Sequence, residues 1–449
     1  MADRHFLDTF VVGASASAYQ IEGATRSDGR GESIWDAFSQ IRTSIADGSN
    51  GIQAADHYHR YPRDIAIMRE LGLQSYRFSL SWSRVLPTGW GKVNKAGIAF
   101  YDRLIDGLLA ADIEPRLCLF HFDLPARLNA LGGFLSRDIP KAMAEYAEIV
   151  SRHFGDRIRQ WVTLDDPWTV TACGYGDGTH APGRQHWSSA PLVMHHLLLS
   201  HAWAMEAIRD NAPNTNIAIG LGLAPILPAS DHDRDLEAAW RLDGLVNRIW
   251  LDPLADRDYP DDIVALFGEN WPEIDPADMK AVASPIDSLD VLYSGPLFAA
   301  DDSKRPYTRV RICPPGDVPV TATGAVIQPR ALTELLIRLH TDARFTPPII
   351  VQCGAAFEDP PIDRGRIRDT HRIRYLHDHL EAAFEAIDSG VNLHGVFVRS
   401  LLDGFEWDLG HLPRYGVVNV DFATQQRTIK ESGRWMARVI DGRALVDPD

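Results

Sequence analysis

Cysteine is scarce: four in 449 residues, at Cys118, Cys173, Cys313 and Cys353, with no two close in sequence. That spacing excludes a zinc-ribbon pattern and a disulfide scaffold, and it fits a reducing compartment. Long apolar runs are also missing. No stretch of about 18 apolar residues occurs, so no transmembrane helix is expected. The opening residues Met1, Ala2, Asp3, Arg4 and His5 lack a basic segment followed by an apolar one, so no secretory leader is expected and the cytoplasm is the predicted location. Positive charge is in deficit, with 45 Lys and Arg against 61 Asp and Glu and a net charge of −16, which argues against a nucleic-acid partner. Low-complexity linkers and basic tails are absent. What remains is 45% hydrophobic and 24% charged, the composition of a globular chain.

Short apolar runs alternate with helical patterns along the whole length. Strands are predicted at Phe10–Gly13, Ser75–Ser79, Pro115–Phe120, Gln160–Leu164, Ile217–Leu223, Ser288–Tyr293, Ile349–Gln352 and Gly395–Val398. Amphipathic helical stretches such as Tyr61–Leu71, Ala96–Ala111, Lys141–Phe154 and Arg374–Ile387 lie between them. Eight strand–helix repeats predict an α/β fold, a (β/α)8 barrel forming one domain over residues 1–449. In that fold, functional groups sit at the C-terminal strand ends. The residues there are Gln20, Arg77, His121, Asp165, Asp166, Ser294, Gln352 and Arg399, with Glu406 and Trp407 slightly beyond. A purely structural core has no need of so many polar groups converging from distant positions.

Several segments resemble motifs of the family-1 glycoside hydrolases, the β-glucosidase family. They are Tyr19-Gln20-Ile21-Glu22-Gly23-Ala24, Tyr76-Arg77-Phe78-Ser79, His121-Phe122-Asp123-Leu124-Pro125, Thr163-Leu164-Asp165-Asp166-Pro167, Ile350-Val351-Gln352-Cys353-Gly354 and Ser400-Leu401-Leu402-Asp403-Gly404-Phe405-Glu406-Trp407. The resemblance implies that Gln20, His121, Glu406 and Trp407 hold a sugar in the −1 subsite. Gln and Glu would make bidentate contacts to adjacent hydroxyls, and Trp would offer an indole N–H and an apolar face. It implies also that Arg77 supports the nucleophile position. No cofactor and no metal are implied.

The departures from the family pattern cluster around that subsite. Where Thr-Leu-Asn-Glu-Pro is expected, the amide is Asp165 and the acid/base Glu is Asp166. Where Ile-Thr-Glu-Asn-Gly is expected, the nucleophile is Gln352. The floor tryptophan of Val-Trp-Ser is Arg399, Asn-Tyr-Tyr reads Leu292-Tyr293-Ser294, and His-Trp-Asp reads His121-Phe122-Asp123. So many simultaneous changes argue against a single designed nucleophile knock-out.

A retaining glycosidase needs two carboxyls roughly 5–5.5 Å apart, one of them a nucleophile. Gln352 cannot ionise, and Asp166 is shorter than Glu by one C–C bond, about 1.5 Å. Ordinary double displacement is therefore disfavoured. The adjacent pair Asp165-Asp166 suggests substrate-assisted hydrolysis of 2-acetamido glycosides, with Asp165 orienting the acetamido group and Asp166 protonating the leaving oxygen. Against this, Asp165 could simply pair with Arg399. Arg399 is expected to neutralise Asp165 or Asp166, with recognition of an anionic ligand group as the alternative. Cys353 reads as a small buried residue rather than a replacement nucleophile. His195, His196 and His201 read as packing residues rather than metal ligands.

Three functions stay open. One is an enzyme acting on a sugar or glycosylated small molecule by a non-standard mechanism, in bacterial specialised metabolism. Another is a catalytically inactive sugar-binding pseudoenzyme. The third is the substrate-assisted hydrolase. The aglycone would lie over the loops Ala172–Ser189, Ala224–Arg234 and Phe298–Val326. Oligomeric state is not legible.

Overall fold

The computed structural model describes residues 6–7, 9–342 and 345–448. The five N-terminal residues, from which the lack of a leader was read, fall outside them. Eight parallel strands close into a barrel: β1 (Val11–Ala16), β2 (Ser75–Ser79), β3 (Glu114–Phe120), β4 (Gln160–Asp165), β5 (Asn216–Leu221), β6 (Ser288–Tyr293), β7 (Ile349–Cys353) and β8 (Leu393–Arg399). Neighbours in sequence are neighbours in the sheet, and β8 pairs with β1 to complete the ring. The predicted single (β/α)8 barrel is the observed fold.

Strand bounds shift by up to three residues from the predicted ones. The helical patterns match helices at His57–Glu70, Lys95–Leu109, Asp138–Phe154 and Thr370–Asp388. Their apolar faces pack on a barrel whose strands are buried on both sides, as in a parallel sheet sheathed by helices. Two small sheets went unpredicted: one from Ile226–Pro228, Leu297–Asp301 and Val310–Ile312, the other from Val418–Val420 and Arg427–Ile429. The first of them stiffens two of the loops assigned to the aglycone. Among the described residues no helix is long and apolar enough to cross a membrane.

Inside the barrel, charge replaces hydrocarbon. Arg77, Arg116 and Asp290 sit on strands β2, β3 and β6 and are each about 1% exposed. Buried charges need partners. Asp290 Oδ1 lies 2.5 Å from Arg116 Nη2, and its Oδ2 lies 3.2 Å from Arg77 Nε. This network forms the floor beneath the strand ends.

Candidate active site

A cavity of about 300 Å³ opens at the C-terminal ends of the strands. Of the predicted residues, His121, Asp165, Asp166, Ser294, Gln352, Arg399 and Trp407 line it. Gln20, Arg77 and Glu406 are buried outside that lining. A larger groove of about 850 Å³ runs beside Tyr259, Trp271 and Met279, but none of the strand-end residues borders it. The convergent polar groups, not the volume, locate the site.

Asp165 ends β4, and its Oδ2 lies 2.5 Å from Arg77 Nη2 and 3.5 Å from His121 Nδ1. The expected pairing of Asp165 with Arg399 is therefore corrected: Arg77 is the partner, because it projects from the barrel floor directly beneath β4. Burial alone would raise the Asp165 pKa, but the Arg77 guanidinium, aided by His121, outweighs it and holds the carboxyl below the usual range. His121 is pushed down to about 4 by burial and is neutral at pH 7.

Asp166 takes a left-handed backbone conformation, φ 38° and ψ 70°, and caps the short helix Pro167–Thr169. Thr169 Oγ1 donates to its Oδ2 at 2.5 Å and Thr169 N donates to its Oδ1 at 3.2 Å. On the other side, a Cβ on Gly222 would stand 2.5 Å from Asp166 Oδ1, so only glycine leaves the carboxyl room. Burial raises the Asp166 pKa; the Thr169 hydrogen bonds oppose that, the Asp165 charge adds to it, and the net direction is upward.

Gln352 ends inside the cavity with Oε1 accepting from Arg77 Nη1 at 3.4 Å. Arg77 can only donate, so the amide oxygen faces it and Nε2 is left for the cavity. Arg77 thus touches Asp165, Asp290 and Gln352 together.

The expectation for Arg399 is also corrected. Its Nη2 donates to Glu406 Oε2 at 2.7 Å rather than to Asp165 or Asp166. The guanidinium lies over the Tyr415 ring, 4.3 Å from the centroid. Glu406 accordingly offers one oxygen rather than two to a ligand. Burial raises its pKa against the pull of Arg399. Gln20 Oε1 accepts from Ser17 Oγ at 2.8 Å, so its amide is held in place near Glu406. Trp407 stacks on Tyr19 and on His121, at 6.1 and 5.6 Å between centroids.

Tyr293 turns away from the cavity centre and donates to the Gln328 carbonyl at 2.9 Å, leaving Ser294 exposed at the rim. Cys353 is buried, and burial pushes its thiol up to about 12, as expected of an inert residue. His195 bonds Tyr259 and Asp278, His196 the Phe134 carbonyl, and His201 Thr163 Oγ1, all in packing roles.

Sequence reasoning missed Thr169, Gly222, His180 and the Arg116–Asp290 pair. Asp followed three residues later by Thr, after a Pro at the first helical position, is an N-cap pattern that would have found Thr169. Charges inside apolar strands, Arg116 and Asp290, were a second legible signal. His180, 3.0 Å from Asp408 through Nε2, gave none, since its loop has no periodicity.

A parallel eight-stranded barrel with a carboxyl pair at the end of β4 and polar and aromatic side chains beyond β1, β3 and β8 has the layout of a glycosidase-like (β/α)8 protein. The chain belongs to Glycosyl hydrolase family 1, whose sequence profile matches residues 2–444. It is 40% identical over 442 residues to beta-glucosidase A of Acetivibrio thermocellus, covering 97% of this chain and 98% of that one. It is 38% identical over 449 residues to beta-glucosidase A of Thermotoga maritima, covering 99% of each. The solved family 1 b-glucosidase from Thermotoga maritima superposes with a TM-score of 0.95 at 37% identity, covering 100% of both chains. The same enzyme in complex with isofagomine lactam superposes at 0.94 and 37% identity, covering 99% of this chain and 100% of that one.

Proposed function

We propose that this protein binds a sugar or glycosylated small molecule in a rebuilt −1 subsite and acts on it with Asp166 as proton donor, without an enzyme carboxylate as nucleophile. One observation carries the reading. Two adjacent carboxyls at the cavity are driven in opposite directions, Asp165 toward the ionised form and Asp166 toward the protonated one. Such a split is how one site obtains an acid and an anion from two like groups.

In the step proposed, Asp166 gives its proton to the leaving oxygen as the bond from that oxygen to the anomeric carbon breaks. The departing group leaves as a neutral alcohol. The cationic centre at the anomeric carbon is stabilised by ionised Asp165. It is captured either by a 2-acetamido oxygen of the substrate, as an oxazolinium whose new C–O bond water then displaces, or directly by an incoming hydroxyl; in both cases the incoming O–H returns its proton to Asp166. Gln352 contributes an N–H donor to the ring substituents. His121, Ser294, Arg399 and Trp407 contact the ring; Glu406, itself bonded to Gln20, holds Arg399, and Arg77 holds Asp165 and Gln352. The sparse cysteines suit a cytoplasmic setting, and the rebuilt subsite suits specialised metabolism.

A second reading, binding without turnover, is favoured by the two Thr169 hydrogen bonds that hold Asp166 back as a helix cap. A mass-spectrometric turnover and binding screen separates the two. The panel pairs 2-hydroxy with 2-acetamido β-glycosides, and Asp166→Ala is the control. Turnover lost in the control supports the proton-donor role, and turnover confined to 2-acetamido rings supports substrate assistance. Plain β-glucoside turnover at rates like the family's, unchanged in the control, would sink the proposal. Binding without turnover by the native chain establishes the second reading.

A further inference from the structure

Three charge changes separate this site from the family motifs: Gln352 for a carboxylate, Asp165 for an amide and Arg399 for an indole. The first two cancel, and the geometry shows where. Arg77, which accepts no charge from Gln352, finds it in Asp165 at 2.5 Å. The negative charge has moved from β7 to β4 and stays on the same guanidinium. Arg399 is the remainder. No new acid accompanies it, so the site is one unit more positive than the family pattern.

Arg399 is not closed off by its partner. Its side chain is 28% exposed and borders the cavity. A guanidinium carries five donors in a fixed fork, and Glu406 takes one of them at 2.7 Å. Tyr415 covers one face of the plane and also engages the guanidinium through its hydroxyl, so the donors that neither Glu406 nor Tyr415 takes are the ones left for the cavity. Among the described residues, no other arginine and no lysine lines the cavity. One forked cation suits a planar carboxylate, whereas a phosphate dianion would call for a second positive group.

We propose that Arg399 reads a carboxylate carried on the sugar ring, so that the ligand class is a uronic-acid glycoside rather than a neutral hexoside. This rests on the sugar-site reading above and narrows it. Glu406 lies at the same end of the cavity as the incoming carboxylate. Burial already favours its protonated form, so it can take up a proton and share it with the ligand instead of repelling it.

The test is isothermal titration of the full-length protein with methyl β-D-glucuronide, methyl β-D-glucoside and methyl 6-phospho-β-D-glucoside. The glucuronide is expected to bind at least about tenfold tighter than the glucoside, a preference that falls as salt rises. Arg399→Met is expected to erase that preference, and Glu406→Gln to strengthen it by loosening the hold on the Arg399 donor that Glu406 now takes. If Arg399 merely neutralised Glu406, then Glu406→Gln would leave the preference unchanged. That arm also covers a failure of Arg399→Met to fold, which thermal melting detects. Equal or tighter binding of the glucoside overturns the carboxylate assignment while leaving the sugar site standing. Preference for the phosphorylated ring overturns it too. Binding of none of the three overturns the assignment together with the sugar reading beneath it.

Discussion

Thr169 meets both oxygens of Asp166, and this small contact decides what the acid can do. A hydrogen bond to a carboxylate favours the ionised form, so Thr169 works against burial and the Asp165 charge. Removing the hydroxyl with Thr169→Val should therefore move the Asp166 pKa further up, and Thr169→Ser should restore it. Carbon-13 carboxyl titration by NMR reads this directly, with or without turnover. In an active protein the same change should lower kcat by up to about 100-fold through misplacement of the carboxyl. A pKa unmoved in Thr169→Val would mean that the hydroxyl does not tune the acid. Cys353 makes a complementary case. Its thiol, pushed up to about 12 by burial, holds almost no thiolate at pH 8. Cys353→Ala should leave any turnover within about twofold. A loss of an order of magnitude or more would make sulfur the missing nucleophile.

At the scale of elements, the ends of β7 and β8 approach so closely that side chains are excluded. A Cβ on Gly354 would stand 1.7 Å from the Arg399 carbonyl oxygen and 2.6 Å from its carbon, both backbone atoms that cannot swing aside. Gly354→Ala should cost at least about 1–3 kcal/mol. It should also displace Arg399 from Glu406. Gly442→Ala, with nothing within 4 Å of its added Cβ, is the matched control and should be neutral or slightly stabilising. Equal melting temperatures for the two variants would remove this account of the strand ends.

The eight strands and their helices were legible because each element carries its own period. The strand-end residues were legible because a barrel brings C-terminal ends together whatever the intervening sequence. Pairing was not. Choosing Arg399 as the partner of Asp165 treated two new charges as a couple. The partner is instead decided by which side chain rises from the floor, and Arg77 does so from β2 with Asp290 behind it. Period and position are local properties of the chain. Pairing depends on the closure of the ring, which no local pattern encodes.

At the scale of the whole molecule, pH acts through buried histidines. Burial lowers His121 to about 4, His379 to about 4 and His201 to about 3. Each is neutral in the fold and titrates near 6.5 once unfolded. A group depressed in this way contributes stability that is fully present above the unfolded value. That stability is lost as pH falls from about 6.5 toward the folded one. At about 1.4 kcal/mol per pKa unit, each should cost about 3 kcal/mol between pH 7 and pH 4, so the three together cost on the order of 9 kcal/mol. Two effects oppose them. Approaching the isoelectric point near 5.5 relieves the self-repulsion of a chain carrying −16. The raised carboxyls of Asp123, Asp166, Asp252 and Glu406 contribute stability that is present at low pH and lost as pH rises through their folded values. The first effect acts between exposed groups and is screened at 0.15 M salt, where the Debye length is about 8 Å. Against the second stand three further histidines that burial also lowers, His195, His196 and His411. The buried rings should therefore prevail, and the melting temperature measured calorimetrically in 0.15 M salt should fall steadily from pH 7 to pH 4.5, above the range where Asp165 protonates. A melting temperature that stayed flat or rose over that interval would mean that the buried imidazoles are hydrated in the fold, and that the barrel interior is wetter than its burial implies.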